Sequence, residues 1–161
     1  MIILIMAFIG NLIWFIFGGW LLGTLWLAFS VIFFPLLPFL LPFVGYSYWP
    51  FGRQPVSKSA IINYKKANNM EVEDYPPVKS SLKILSNVIW LPFGFILCIV
   101  HLIAGLFNFL FCIFIITIPV CLPNALGNFK MARVSFAPFG INLVPTDLAK
   151  DILKEDAKSK L

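Results

Sequence analysis

The chain has 161 residues, 60% of them hydrophobic and 17% aromatic, with 12% charged and a net charge of +5. Soluble domains carry about 25% charge distributed over their surface, so this composition excludes a water-soluble globular protein. All twelve Lys and Arg and all seven Asp and Glu lie within 53–83 and 130–160, which leaves 1–52 and 84–129 uncharged apart from His101. Two long neutral blocks separated by charged ones describe a chain that lives in a bilayer. A basic patch on a folded surface is missing, so no nucleic-acid partner is expected.

Residues 1–52 form the first membrane block. It begins without a basic region and has no small-x-small cleavage pattern, so a retained membrane segment is expected,. Asn11 is its polar group at membrane depth, and Gly19-Trp-Leu-Leu-Gly23 is a GxxxG suited to close helix packing or a turn,. Pro35, Pro38 and Pro42 interrupt its second half, each removing a helical hydrogen bond,. Trp14, Trp20, Trp26, Trp49, Tyr46 and Tyr48, with Trp90 of the second block, are expected in an interfacial aromatic belt,. Residues 53–83 read as a polar cytoplasmic connecting loop, turn-rich at Asn68-Asn69 and Pro76-Pro77, with one short helix around 60–66,.

Residues 84–141 form the second membrane block, with Asn87, His101, Asn108 and Asn124 as its polar groups and Pro119 and Pro123 as its breaks. Cys98, Cys112 and Cys121 are odd in number and form no CxxC pair, so small unpaired buried residues are expected,. Cys98 and His101 share a helical face but do not make a metal site by themselves. Residues 142–161 read as a cytoplasmic tail, a short solvated helix capped by Thr146 and laced by Asp147/Lys150, Asp151/Lys154 and Glu155/Lys158 pairs,.

Length sets the number of crossings. A helix rises about 1.5 Å per residue and the hydrocarbon core is about 30 Å thick. The uncharged stretches 1–52 and 84–129 would measure roughly 78 Å and 69 Å as straight helices, too long for one crossing each and too short for three,. Two embedded segments per block fit, or one long tilted helix followed by a re-entrant segment. Six basic residues fall in the connecting loop and six in the terminal region. An even number of crossings puts both sets, and both termini, on the cytoplasmic face. The fold class is therefore an all-α integral membrane protein of two helical hairpins, about four membrane-embedded segments.

The blocks also match in detail. Asn11-x2-Trp14-x3-Gly18 recurs as Asn87-x2-Trp90-x3-Gly94, and Pro35-x14-Pro50-Phe51-Gly52 recurs as Pro123-x14-Pro138-Phe139-Gly140. The offsets are 76 and 88, so the second copy holds about twelve extra residues. An even number of segments per copy makes these parallel repeats. The paired openings, Cys98-x2-His101, and Asn128-Phe129-Lys130-x-Ala132 followed by Pro138-Phe139-Gly140 resemble the YccF family. That resemblance covers about residues 10–145 and implies a bacterial inner (plasma) membrane protein built of two repeats of a small membrane domain. It supplies no catalytic residue to carry over.

No Ser/His/Asp set, carboxylate pair, phosphate-cradling loop or metal cluster is visible, so no enzyme activity and no cofactor are expected. Asn11, Asn87, His101, Asn108 and Asn124 are candidates for helix-interface or pore-lining roles. Arg53, Lys130 and Arg133 are candidates for contact with lipid headgroups, anionic ones included. Two functions fit: an interaction, assembly or lipid-organising component, or a subunit of an oligomeric passive pore. The expected partners are the lipid bilayer and, for the pore, further copies of the chain.

Overall fold

The computed structural model describes residues 2–71 and 80–160. The Pro76-Pro77 turn and Lys79 lie outside the described residues. The first block folds into α1 (Ile2–Trp14), a wide turn over Phe15–Gly19, α2 (Trp20–Ile32), a tight turn over Phe34–Leu36 and α3 (Leu37–Tyr48). After it come β1 (Arg53–Ser57) and α4 (Lys58–Ala67). The second block is α5 (Ser80–Phe111), a tight turn over Ile115–Thr117 and α6 (Ile118–Phe136), followed by β2 (Ile141–Pro145) and α7 (Thr146–Lys158).

Two stretches, Ile5–Ile32 and Ser81–Phe111, are long and apolar enough to cross a membrane. Their return helices differ. α6, with 19 residues, rises about 28 Å, close to the core thickness, whereas α3, with 12 residues, rises only about 18 Å,. The proline breaks explain where they start: Pro35 and Pro38 open the turn and first residues of α3, and Pro119 sits in the first turn of α6,. Pro42 and Pro123 lie inside these helices.

The hairpins pack around Trp26, Leu40, Phe43, Tyr46, Trp90, Leu97 and Met131. Trp26 stacks on Trp90 at 5.6 Å and on Phe43 at 6.2 Å between ring centroids. The aromatic belt expectation is thereby corrected for four residues. Trp14, Trp26, Trp90 and Tyr46 are buried, while Trp20 and Trp49 remain exposed. An indole N–H in hydrocarbon needs an acceptor, and these three indoles find theirs inside the bundle,. Both glycines of the GxxxG are packing positions: a Cβ at Gly23 would lie 2.4 Å from the Tyr48 ring, and one at Gly19 would meet the Trp14 indole.

The connecting segment and the tail are more ordered than polar composition suggests. β1 pairs antiparallel with β2, from Arg53 opposite Pro145 to Ser57 opposite Ile141. The backbone continues the exchange, with Thr146 N–H donating to Gly52 O and Lys58 N–H to Gly140 O, both at 3.1 Å or less. Gly52 and Gly140 hold φ of +95° and +101° where the chain turns into each strand, a conformation that favours glycine,. α4 and α7 then close a small core of Val56, Ala60, Ala149 and Ile152. The tail helix is thus docked and not merely solvated. Ser57 caps α4 by accepting from Ala60 N–H at 3.2 Å. Thr146 does not cap α7: it is the first helical residue, and Pro145 occupies the cap position without a side-chain bond.

The unpaired-cysteine expectation also changes. Cys112 and Cys121 form a disulfide across the tip of the second hairpin, with Cα atoms 5.9 Å apart, and Cys98 is free. They are nine residues apart, and the turn between helices brings them face to face, a juxtaposition that CxxC spacing does not signal,.

Asp156 ties α7 to α4. Its carboxylate accepts from Lys160 Nζ, just past the end of its own helix, and from Asn63 Nδ2 at 3.0 Å on the partner helix. The Lys160 bond first, then Asn63, holds its pKa below the ordinary 3.8,. A depressed carboxylate pKa adds stability above the unfolded value that is lost as pH falls through the folded one. Protection of α4 and α7 amides from hydrogen exchange, relative to their intrinsic rates, is therefore expected to fall as pH drops below about 3.8, and Asp156→Asn should flatten that acid limb. An identical acid limb in the variant would refute the link.

Candidate functional site

Each hairpin base is closed by the same set of bonds. Asn11 Nδ2 donates to Phe51 O at 2.9 Å and its Oδ1 accepts from Phe51 N–H at 2.8 Å. Asn87 does the same with Phe139, at 3.0 and 3.2 Å. Three residues on, Trp14 Nε1 donates to Ser47 O and Trp90 Nε1 to Ser135 O, both at 2.8 Å. The reason lies in the return helices, which stop at Pro50 and Pro138. Ser47 and Ser135 lack a continuing helical donor, because the N–H four residues on belongs to the Phe that the asparagine holds. Asparagine and tryptophan thus satisfy backbone groups that chain reversal would leave bare in an apolar layer. In the second hairpin, Gly94 allows the approach: a Cβ there would lie 2.4 Å from Ser135 O.

His101 occupies the centre. It is fully buried and joins three helices: Trp26 Nε1 on α2 donates to its Nε2 at 3.1 Å, and its Nδ1 lies 2.9 Å from Asn128 Oδ1 on α6. Indole N–H only donates, so Nε2 carries the lone pair. Asn128 Nδ2 donates to Asn124 O at 3.0 Å, which turns its Oδ1 toward the ring. The geometry therefore fixes a neutral imidazole with its proton on Nδ1, and every polar atom of the ring is engaged. This is the buried side-chain bond that links one hairpin to the other across the core.

The remaining candidates fall elsewhere. Asn108 Nδ2 donates to Ala104 O on its own helix at 2.8 Å. Asn124 is buried and lines a cavity with Asn108 and Asn128. Arg53, Lys130 and Arg133 are exposed, on β1 and the last turns of α6, toward the ribbon end of the bundle. Among the described residues, no three His, Cys, Asp or Glu side chains converge as a metal site needs,. Sequence reasoning missed Ser47, Ser135, Trp26 and Asn128. The first two had a signal, since Ser-x2-Pro-Phe-Gly occurs in both blocks.

Long apolar helices, a core held by indoles and amides, and charges confined to 53–83 and 130–160 define a small all-α integral membrane protein. Residues 85–141 match the model of the YccF family, described as an inner membrane component domain. The chain is 28% identical over 148 residues to inner membrane protein YccF of Escherichia coli (strain K12), covering 88% of this chain and 86% of that protein. Inner membrane protein YccF of Shigella flexneri gives the same values. No solved structure matches the chain. Residues 85–141 thus carry the likeness to the YccF domain, and similarity to YccF proteins extends over 88% of the chain.

Removing one partner of these bonds leaves a buried polar atom bare. Trp26→Phe, which keeps most of the ring packing, is expected to cost roughly 1–2 kcal/mol, and Asn87→Leu, which strips both the N–H and the C=O of Phe139, at least as much. Both appear as lower unfolding temperatures of the detergent-solubilised protein followed by circular dichroism. Wild-type melting in both variants would refute these roles.

Proposed function

We propose that this chain is a non-catalytic, lipid-organising component of the bacterial inner membrane, assembling through its helix surface, with the connecting segment and both termini cytoplasmic. One observation carries the reading. Of the five polar groups that could have lined a path, Asn11, Asn87, His101 and Asn108 bond to the chain's own backbone and side chains, and Asn124 faces a cavity. What faces outward along α1, α2 and α5 is large and apolar, as a surface in contact with lipid must be,. Arg53, Lys130 and Arg133 stand at the ribbon end, where basic side chains meet anionic headgroups. The inner-membrane location follows the description of the matching family and the name of the Escherichia coli relative.

Purified protein in liposomes is expected to pass no ions under varied voltage, and to retain anionic lipid in preference to zwitterionic lipid. Each basic headgroup contact contributes about 1 kcal/mol, so the triple substitution Arg53→Gln, Lys130→Gln, Arg133→Gln should lower that retention roughly tenfold or more. Steady currents that change with His101→Ala or Asn87→Ala would replace this reading by the oligomeric pore.

β1 pairs with β2 and α4 packs on α7, so connector and tail lie against each other, which supports a shared side for both. The equal basic content of both segments supports the cytoplasmic face for that side. In a variant lacking the native cysteines, single cysteines at Ser57 and Ser159 should both resist an impermeant maleimide in intact cells and react after permeabilisation. Labelling of either in intact cells would overturn the orientation.

A further inference from the structure

Between the bend of the first helix and the flank of the second hairpin lies a cavity of about 400 Å³. The bend creates it. Phe17 and Gly18 leave helical geometry, Gly18 with φ +123°, and a side chain added at Gly18 would meet only open space. The walls contain no ionisable side chain, and Phe17, Leu21, Ile103 and Phe107 stand exposed at the rim, so the mouth faces the hydrocarbon layer. Inside are three amides. Asn128 is fully engaged with His101 and Asn124 O, and Asn108 donates along its own helix. Asn124 is different: it is 3% exposed, lines the cavity, and its side-chain amide has no hydrogen-bond partner among the described residues.

An amide that lines a largely apolar cavity without a protein partner is open to a ligand atom or water there,. Water would need two to four polar contacts in a site whose walls are largely apolar. We propose that the cavity binds an uncharged membrane amphiphile, a single apolar chain bearing a carbonyl or hydroxyl group, with that group hydrogen-bonded to Asn124. The volume lies within the range of small-molecule sites, and an apolar wall with a few convergent polar groups is their usual composition. The absence of any charge in the lining argues against a phosphate or ammonium headgroup inside.

This deepens the lipid-organising reading and rests on it only for the membrane setting, because ion flux would sink that reading while leaving this site untouched. The test is native mass spectrometry of the detergent-purified full chain titrated with monoolein, which has one chain, one ester carbonyl and no charge. Saturable uptake of one monoolein is expected. Asn124→Leu should weaken it about tenfold, the effect of one lost hydrogen bond. Ala104→Phe, which fills the cavity from α5, should abolish it. Circular dichroism checks the fold of each variant, and Ala104→Phe decides if Asn124→Leu fails to fold. No saturable adduct with the wild-type protein, or wild-type affinity in a folded variant, overturns the proposal.

Discussion

The structure depends on how each chain reversal is made tolerable inside an apolar layer. A helix that stops at Pro-Phe-Gly leaves carbonyls and an amide without their helical partners, and lipid offers none. In both hairpins the answer is the same pair of side chains on the outgoing helix, an asparagine that grips the Phe amide from both sides and a tryptophan that reaches the serine carbonyl. These bonds do two jobs. They satisfy the backbone, and they fix the base of each hairpin so that the following glycine turns and β1 and β2 emerge side by side. The two-stranded ribbon and the α4–α7 pair are consequences of that placement.

The hairpins are joined at two levels. At the base, the ribbon and the exchanged Gly52 and Gly140 carbonyl bonds hold them together. At the centre, the Trp26–Trp90 stack and the Trp26–His101–Asn128 chain do so. The second level differs in kind from hydrophobic association, which provides little drive between helices already surrounded by lipid. Packing and a directed bond to a buried imidazole select one mutual orientation where apolar faces alone would slide. A histidine in this position needs no catalytic or conducting role to account for its presence.

Much of this was legible in the residues. The absence of charge over 1–52 and 84–129 gave the membrane class, and the doubled Asn-x2-Trp and Pro-Phe-Gly spacings marked the residues that close both hairpins. What they close was not legible, because a hydrogen bond across 40 or 52 residues leaves no periodic trace. The burial of Trp14, Trp26 and Trp90 ran against the preference of indoles for the interface, since a nearby unpaired acceptor outweighs that preference and acceptors are invisible in sequence,. The ribbon escaped for a related reason: Arg-Gln-Pro-Val-Ser and Ile-Asn-Leu-Val-Pro are short, carry prolines and become strands only when a partner is held alongside,.

The two hairpins close their bases alike but differ in length. The Trp-to-Ser span is 33 residues in the first and 45 in the second. Most of the difference is in the return leg, where residues 118–135 exceed residues 37–47 by seven, or about 10 Å, against three residues in the outgoing leg,. The bases are not level: Phe33 at the tip of the first hairpin packs on Trp90 and Phe93 near the base of the second, and Trp14 at the base of the first lies against Gly127. The bend at Phe17–Gly18 breaks the line of the first helix where α5 runs on uninterrupted. Asn108 and Asn124 face that bend across the cavity, beside Trp14 at the base of the first hairpin. There Asn108 turns back on Ala104 O of its own helix, while the Asn124 side chain lines the cavity without a partner among the described residues.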